Sequence, residues 1–301
     1  MRIRDLLRRR RPVISFEIFP PKAETPLESV FETVAGLKAL SPDFISVTYG
    51  AGGSSRERTV EIASAVRNRW GLISLAHLAC AGSSASEVES ILEDLEAEGI
   101  SNILALRGDP RPEGEPAASP FRHASDLIRH IRRGHFRDFC LGAAAYPEGH
   151  PECPSLEEDI LHLRHKVDAG ADFLISQLFF DNEIFFRFMD RVRAAGIDVP
   201  VLAGIMPVLN ARQIGRIVSL CGASIPPRFA RIMSRYEQSP RALAEAGIAY
   251  AAEQIIDLLS WGVDGIHLYT MNRPDVASRI MGSLSTVREV LSGDVTGDEN
   301  P

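Results

Sequence analysis

The sequence predicts a single-domain α/β protein that folds as a (β/α)8 TIM barrel. A short apolar run rich in β-forming residues, a polar loop and an amphipathic stretch follow one another repeatedly along the 301 residues. Within the amphipathic stretches, apolar residues recur at three- and four-residue spacing, which is typical of helices. Strands that alternate with helices form a parallel sheet. Eight such units favour closure into a barrel, and an open doubly wound sheet is the alternative.

The apolar runs give the expected strands in chain order. These are Val13–Phe19, Phe44–Tyr49, Leu72–Leu78, Asn102–Leu106, Cys140–Tyr146, Phe173–Phe179, Val201–Met206 and Gly265–Thr270. The clearest helical patterns between them are Leu27–Leu40, Glu87–Ala97, Leu156–Ala169 and Glu183–Ala194.

The last third of the chain departs from this regular repeat. We expect an irregular insertion from Cys221 to about Arg241, where Pro226 and Pro227 interrupt the pattern, and then a helix over Leu243–Leu259. The barrel domain should cover residues 1–291. The polar, acidic residues 292–301 are expected to be a disordered tail.

Composition excludes several classes of protein. With 45% hydrophobic and 24% charged residues, the chain has the composition of a globular protein. A net charge of −7 argues against a nucleic-acid partner. No apolar run reaches the length of about 20 residues that a membrane span needs, so no membrane partner is expected. The basic block Arg2–Arg11 has two interpretations, a transit peptide or a solvated first helix. We favour the helix, because a core strand begins just after Pro12.

The four cysteines are Cys80, Cys140, Cys153 and Cys221, and their spacing contains no CxxC pair. This argues against a zinc ribbon or a redox motif. Reduced, buried thiols in a cytoplasmic protein are the simpler interpretation.

Polar residues follow most of the expected strands. Because all strand ends of a parallel barrel open on one face, these side chains should meet at a single mouth, where barrel enzymes have their active sites. The residues at or just after the strand ends are Glu17, Thr48, Tyr49, His77, Arg107, Asp109, Tyr146, Glu148, Gln177, Asp181, Tyr269, Asn272 and Arg273.

Glu17 is the sharpest candidate, because it lies in the apolar run Ile14–Pro21 with no basic residue before Lys22. Apolar surroundings favour the protonated form of a carboxyl group, and a protonated carboxyl group suits a general acid. The alternative is a structural carboxylate that pairs with an arginine across the barrel.

Three further patterns give weaker signals. Arg107-Gly108-Asp109 could bind a phosphate or could be an ordinary turn. The glycine-rich Gly50–Ser55 could lie near a phosphate, but it matches neither a dinucleotide fingerprint nor a P-loop. His162 and His165 lie beside Glu158 on an expected helix. We expect them to be solvated and expect no metal site, because nothing in the sequence supplies the remaining ligands.

In their order along the chain, these segments resemble the methylenetetrahydrofolate reductase family from the first strand to the eighth. The segments that carry the resemblance are Ser15–Pro21, Ser46–Ser54, Ala76–Leu78, Leu106–Asp109, Ala145–Pro151, Lys166–Ala171, Gln177–Asp181 and Tyr269–Arg273.

The resemblance implies a cytoplasmic oxidoreductase of one-carbon metabolism and methionine biosynthesis with FAD at the barrel mouth. It implies a ping-pong reaction in which NADH or NADPH reduces the flavin and leaves. Methylenetetrahydrofolate then enters the same space and is reduced to 5-methyltetrahydrofolate. We also expect a homo-oligomer and, without the C-terminal region of larger relatives, no inhibition by S-adenosylmethionine.

The resemblance also assigns roles to individual residues. Glu17 would donate a proton to N10 of the folate and so open its five-membered ring. Asp109 would contact the pterin and stabilise the cation that forms. Gln177, Gln213 and Arg273 would bind substrate, and Ile217 stands where some relatives have an aromatic ring. The flavin contacts would be Thr48, Tyr49, Ala51, His77, Arg107, Gly108, Asp109, Ala124, Tyr146, His150, Asp159, His165 and Lys166.

Two other functions remain as alternatives. A pterin-binding methyltransferase would share the barrel but would need a corrinoid partner or a thiol-activating metal. A binding subunit without redox activity would keep the fold and lose the reaction.

Overall fold

The computed structural model describes residues 1–9, 12–22, 24–49, 56–108 and 119–292. Eight parallel strands form a closed barrel in sequence order, which confirms the predicted fold class. The strands are β1 (Val13–Ile18), β2 (Phe44–Val47), β3 (Ser74–Ala79), β4 (Asn102–Leu106), β5 (Cys140–Ala145), β6 (Phe173–Ser176), β7 (Val201–Ile205) and β8 (Gly265–Tyr269).

Helices cover the outside of the barrel. They are α1 (Ile3–Arg9), α2 (Glu28–Lys38), α3 (Arg56–Asn68), α4 (Ala85–Ala97), α5 (Ala124–Arg133), α6 (Leu156–Asp168), α7 (Asn182–Ala194), α8 (Ala211–Cys221), α9 (Pro227–Tyr236), α10 (Pro240–Trp261), α11 (Pro274–Gly282) and α12 (Ser285–Ser292). In the described part of the chain, no helix is both long enough and apolar enough to cross a bilayer.

The segment from Cys221 to Arg241 is not irregular as expected, because it contains the helix α9. Pro227 is the first residue of this helix and Pro226 is its N-cap. Proline is favoured at a first helical position, since its missing N–H has no partner there in any case. The two prolines therefore mark the start of a helix. Phe229 and Met233 pack the buried face of α9 against Phe180, Val208 and other residues beside the mouth.

The expected end of β6 at Phe179 lies too late, because apolar residues continue past the sheet. Strand β6 ends at Ser176, although Leu178, Phe179 and Phe180 are also buried. Phe179 stacks on Phe185 of α7, and Phe180 stacks on Phe229 of α9. These side chains fill the space between the barrel and its helices, so hydrophobicity alone does not mark the strand end.

Helix α1 closes the bottom of the barrel. Ile3 and Leu7 are completely buried in a cluster with residues near the strand starts, such as Phe44 and Phe173. The backbone N–H of Ile3 donates to Asn102 Oδ1 at 2.8 Å. The predicted first helix is present, but its apolar face is buried, and Arg8 and Arg9 are exposed. Each buried side chain contributes about 1.5–3 kcal/mol.

The barrel closes where the first strand meets the last. In the β1–β8 pairing, Ser15 lies opposite His267 and Glu17 lies opposite Tyr269. Beyond the strands, the Asn272 side chain donates to the carbonyl of Phe19 at 2.9 Å and accepts from the N–H of Phe19 at 3.0 Å. These contacts hold the two strand ends together at the mouth.

Candidate active site at the mouth of the barrel

Glu17 occupies the seam between β1 and β8, with its side chain 17% exposed. Its carboxylate oxygen Oε2 lies 3.3 Å from His267 Nε2 and 3.6 Å from His77 Nε2. The backbone carbonyl of Glu17 accepts a hydrogen bond of 2.6 Å from the Thr270 hydroxyl. Among the described residues, the side-chain partners of Glu17 are these two imidazoles, and the expected alternative of an arginine across the barrel is not observed.

Hydrogen bonds fix the ring of His267. Its Nδ1 lies 2.8 Å from Ser15 Oγ, and the Ser15 hydroxyl donates to the carbonyl of Ile266 at 3.2 Å. Because the hydroxyl hydrogen is used there, the network assigns the Nδ1–H to the imidazole as donor. The Nε2 atom that faces Glu17 is then bare in the neutral ring. Glu17 and His267 can therefore share one proton.

His77 is buried, and its Nε2 lies 2.6 Å from Ser46 Oγ. Burial lowers the pKa of His77 to about 4; the negative charge of Glu17 opposes this effect, and His267 adds to it. His77 is therefore neutral at neutral pH. Next to the acid, the hydroxyl of Tyr269 donates to the carbonyl of Ser176 at 2.9 Å, and burial raises the pKa of Tyr269 well above its usual value.

The sequence predicted Glu17 and His77 at this mouth but missed His267, Ser15 and Ser46. These three residues lie inside strands, where they look like interruptions of an apolar run. A usable signal was present: Ser15 and Glu17, like His267 and Tyr269, are two residues apart and so share a strand face.

A second cluster lies across the ends of β4 and β5. The ring of Tyr146 packs edge-on against His150, with centroids 4.7 Å apart, and Lys166 Nζ lies 5.4 Å from the Tyr146 centroid. Lys166 also donates to the carbonyl of Ala144 at 2.8 Å. The backbone N–H of His150 donates to the buried carboxylate of Asp159 at 3.3 Å.

This second cluster is suited to binding an anion. Burial lowers the pKa of Lys166 to about 8, Asp159 opposes this effect, and Arg107 adds to it. The pKa of His150 is also lowered by burial and then by Arg107. The positive charges of Arg107, Lys166 and His150 repel one another, and a phosphate bound between these side chains would stabilise their charged forms. Arg107 is paired with Glu152 through two hydrogen bonds of 2.5 and 2.7 Å, and that partner is exposed enough to be displaced.

Gly108 follows Arg107 with a φ of +84°, a conformation that glycine adopts readily. A Cβ at this position would come within 2.9 Å of the Cβ of Ala79. The turn therefore needs glycine in order to lie against the end of β3. The predicted residues Asp109 and Ala51, and the loop Gly50–Ser55, lie outside the described part of the chain.

The other predicted cofactor residues lie around this cluster or near the mouth. Thr48 follows β2, and its carbonyl accepts from the Thr59 hydroxyl at 3.1 Å. Tyr49 packs on the main core. Ala124 is buried at the start of α5, and His165 is exposed on α6, with its ring 6.3 Å from that of His162.

In the described part of the chain, the predicted substrate residues form hydrogen bonds with groups other than Glu17. Gln177 follows β6, and its Oε1 accepts from the N–H of Leu178 at 3.0 Å. Gln213 lies in the first turn of α8, and its Oε1 accepts from the N–H of Leu209 at 3.0 Å. Arg273 is exposed at the start of α11 and forms two hydrogen bonds with Asp275. Ile217 is buried in the cluster that also contains Phe229 of α9.

The family model for methylenetetrahydrofolate reductase matches residues 2–285. The chain belongs to the methylenetetrahydrofolate reductase family. The resemblance inferred from the strand-end motifs is therefore confirmed.

Relatives in this reductase family come from bacteria, plants and fungi. The chain is 36% identical to 5,10-methylenetetrahydrofolate reductase from Escherichia coli, and the match covers 90% of both chains. It is also 36% identical to the protein of the same name from Pectobacterium carotovorum, over 92% of this chain and 91% of that one. Methylenetetrahydrofolate reductase (NADH) 1 from Arabidopsis thaliana is 35% identical over 96% of this chain. The chain spans about half the length of that plant relative, since the match covers 51% of it.

Solved structures show the same barrel at low sequence identity. An uncharacterised protein from Clostridium thermocellum that binds two copies of 5-methyl-5,6,7,8-tetrahydrofolic acid superposes with a TM-score of 0.65 at 14% identity. That match covers 96% of this chain and 99% of the other. Oxaloacetate acetylhydrolase matches with a TM-score of 0.51 at 15% identity, over 99% and 88% of the two chains. At these identities the likeness concerns the fold.

Proposed function

We propose that this member of the methylenetetrahydrofolate reductase family reduces 5,10-methylenetetrahydrofolate to 5-methyltetrahydrofolate. FAD would be the resident cofactor and NADH or NADPH the reductant, in a ping-pong cycle. The observation that carries the proposal is the Glu17 carboxyl group, held between His267 and His77 at the mouth of the barrel. The names of the bacterial relatives support the substrate.

The second cluster supports FAD as the cofactor, because FAD carries a diphosphate and this cluster is suited to binding an anion. Arg107 and Lys166 would bind this diphosphate, and Gly108 would let the backbone approach it closely. FAD, once reduced by the nicotinamide, would supply the hydride that turns the methylene carbon into a methyl group. The full set proposed to hold it is Thr48, Tyr49, Ala51, His77, Arg107, Gly108, Asp109, Ala124, Tyr146, His150, Asp159, His165 and Lys166.

The part of Glu17 is to move a proton. Its protonated carboxyl would donate to N10 of the folate, the bond between N10 and the methylene carbon would break, and the electron pair would remain on N10. Solvent at the mouth would then return a proton to Glu17, and the bare Nε2 of His267, 3.3 Å from the carboxyl group, would accept a hydrogen bond from the protonated acid and hold it in place. Neutral His77 on the other side would limit access of water without adding a charge.

Other residues would orient the folate. Gln177 would contact both the folate and the nicotinamide, and Gln213 would contact the folate. Arg273 could exchange Asp275 for a carboxylate of the substrate, because both side chains of this pair are more than half exposed. Asp109 would stabilise the cationic substrate formed when the ring opens.

Spectroscopy of the purified protein tests the cofactor and both substrates together. The protein should be yellow, should bleach anaerobically with NADH or NADPH, and should regain its colour with methylenetetrahydrofolate. A colourless protein that takes up no added FAD would overturn the proposal and favour the methyltransferase. A yellow protein that does not bleach would favour a binding subunit.

Replacing the acid should separate the two half-reactions. Glu17→Gln should bleach normally with the nicotinamide but lose folate reduction by about a hundredfold or more, because general acids contribute on that scale. Stopped-flow absorbance of each half-reaction measures this. Glu89→Gln is the matched control: its carboxylate also faces an imidazole, that of His130 at 3.3 Å, but between helices away from the mouth. Equal loss of both half-reactions in Glu17→Gln would mean that Glu17 is structural.

A further inference from the structure

Three metal-ligating side chains converge beside the second cluster. Cys153 lies in the loop after β5, and Asp159 and His162 lie on α6. Cys153 Sγ is 3.8 Å from His162 Nδ1, and one ligand atom from each of the three residues lies within 4.8 Å of the other two. Among the described residues, no other three such side chains come this close together.

The scaffold holds the three residues at this separation. Asp159 and His162 are three positions apart on a helix and therefore share a face. The N–H of Cys153 donates to the carbonyl of His150 at 2.8 Å, which fixes the turn that brings the thiol over α6. Asp159 is buried, Cys153 is half-buried and His162 is exposed, so an ion could enter from solvent.

We propose that Cys153, Asp159 and His162 form a binding site for a zinc ion. A thiolate, an imidazole and a carboxylate are all ordinary zinc ligands. Tetrahedral bonds of about 2.3 Å to sulfur and about 2.0 Å to nitrogen separate those two atoms by roughly 3.5 Å. The observed separation of 3.8 Å is close to that value. Calcium and magnesium prefer sites made only of oxygen ligands.

The fourth position would be taken by water or a neighbouring imidazole. The ring of His123 stacks on that of His162 with centroids 6.5 Å apart, and the centroid of the His165 ring lies 6.3 Å from that of His162. The sequence pattern of His162, His165 and Glu158 lacked further ligands. The fold brings Cys153 and Asp159 beside His162, and these two residues supply the ligands that the sequence pattern lacked. Zinc binding would release the thiol proton of Cys153.

The zinc site would compete with the cofactor for Asp159, and this consequence rests on the proposed function. Zinc on the carboxylate would draw it away from the N–H of His150, which holds the loop after β5. FAD should therefore bind more weakly to protein loaded with zinc. The site itself needs no flavin.

Cobalt(II) is the probe for the site, because its absorbance reports both thiolate ligation and tetrahedral geometry. Anaerobic titration of the flavin-free full chain, with its thiols reduced, should give a thiolate-to-cobalt charge-transfer band that saturates at one equivalent. Zinc should then displace the cobalt and abolish the band. Absence of the band would overturn the proposal.

Variants assign the ligands. Cys153→Ser should lose the charge-transfer band, and His162→Ala should weaken zinc binding by at least about tenfold, as even outer-sphere substitutions do. Cys221→Ser is the control for a second half-buried thiol, and His135→Ala is the control for an exposed imidazole. Both controls should behave as wild type. A band that survives in Cys153→Ser would overturn the site.

Failure of the metal site and failure of the proposed function give different results. Protein that binds cobalt through Cys153 but takes up no FAD keeps the metal site and loses the reductase proposal. Protein that binds FAD but shows no cobalt band keeps the reductase proposal and loses the metal site.

Discussion

At the scale of single residues, the proposed role of Glu17 as the acid depends on its contact with His267, with which it would share a proton. The Ser15 hydroxyl and the carbonyl of Ile266 fix the Nδ1 side of the imidazole, so only Nε2 exchanges protons with the carboxylate. His267 is completely buried, and Glu17 is partly exposed toward the mouth. Protons therefore reach His267 through Glu17, which makes His267 a positioning residue.

Substitution of His267 should slow folate reduction and leave the nicotinamide step intact. We expect His267→Gln to lose about tenfold in the folate half-reaction, less than the loss expected when the acid itself is removed. The pH profile of that half-reaction should also shift, because the variant has no imidazole that could share a proton with Glu17. Ser15→Ala, which removes only the partner of Nδ1, should have a smaller effect in the same direction. An unchanged pH profile would indicate a purely structural role.

At the scale of elements, glycine allows α10 to pack closely against the end of β7. A Cβ at Gly247 would lie 1.8 Å from the carbonyl oxygen of Val208, which is backbone and cannot move aside. The same helix positions Tyr250, whose hydroxyl donates to the carbonyl of Phe180 at 2.6 Å. Close packing of α10 therefore supports the loops after β6 and β7.

Gly247→Ala should destabilise the protein by about 1–3 kcal/mol or more, as overpacking does. The matched control is Gly215→Ala in α8, where an added Cβ would meet no described atom within 4 Å. There the exchange should stabilise by up to about 1 kcal/mol through helix propensity. Urea unfolding of both variants measures the difference. Equal free energies of unfolding for the two variants would mean that α10 shifts to accommodate the added methyl group at Gly247 without loss of stability.

The element scale also shows what the sequence could predict. Alternation of apolar runs and amphipathic stretches gave all eight strands, because a strand of this barrel is buried on both faces. Side chains near the C-terminal end of a strand, such as Glu17 and His77, were predictable from that order. His267 was not, because its role depends on the pairing of β8 with β1. The approach of Cys153 to Asp159 and His162 on α6 was not predictable for a similar reason. It depends on the turn that positions Cys153, and this turn has no sequence motif.

At the scale of the whole molecule, the buried imidazole of His77 links barrel stability to pH. Its pKa is 6.5 in an unfolded chain and about 4 in the folded protein. Between these values the unfolded chain binds more protons, so stability falls as pH falls from 6.5 through 4. The pKa difference corresponds to roughly 3 kcal/mol.

Replacement of His77 should weaken this dependence on pH. His77→Gln is expected to be less stable than wild type at pH 7, with the difference narrowing as the pH approaches 4. Urea unfolding at several pH values measures the gap, and His135→Gln serves as an exposed control. A gap that stays constant with pH would show that another group controls acid unfolding.

The closure of the barrel gives the acid centre one more property. Glu17 and His267 are 250 residues apart in the chain, yet they meet at the seam where the first strand pairs with the last. During synthesis, Glu17 leaves the ribosome long before His267 is made. An unfinished chain thus has the carboxylate without the imidazole that positions it, and the pair forms only when the ring of strands is complete. Under the proposed function, competence for proton transfer would be a late event of folding, and the appearance of activity in a refolding experiment would time the closing of the barrel.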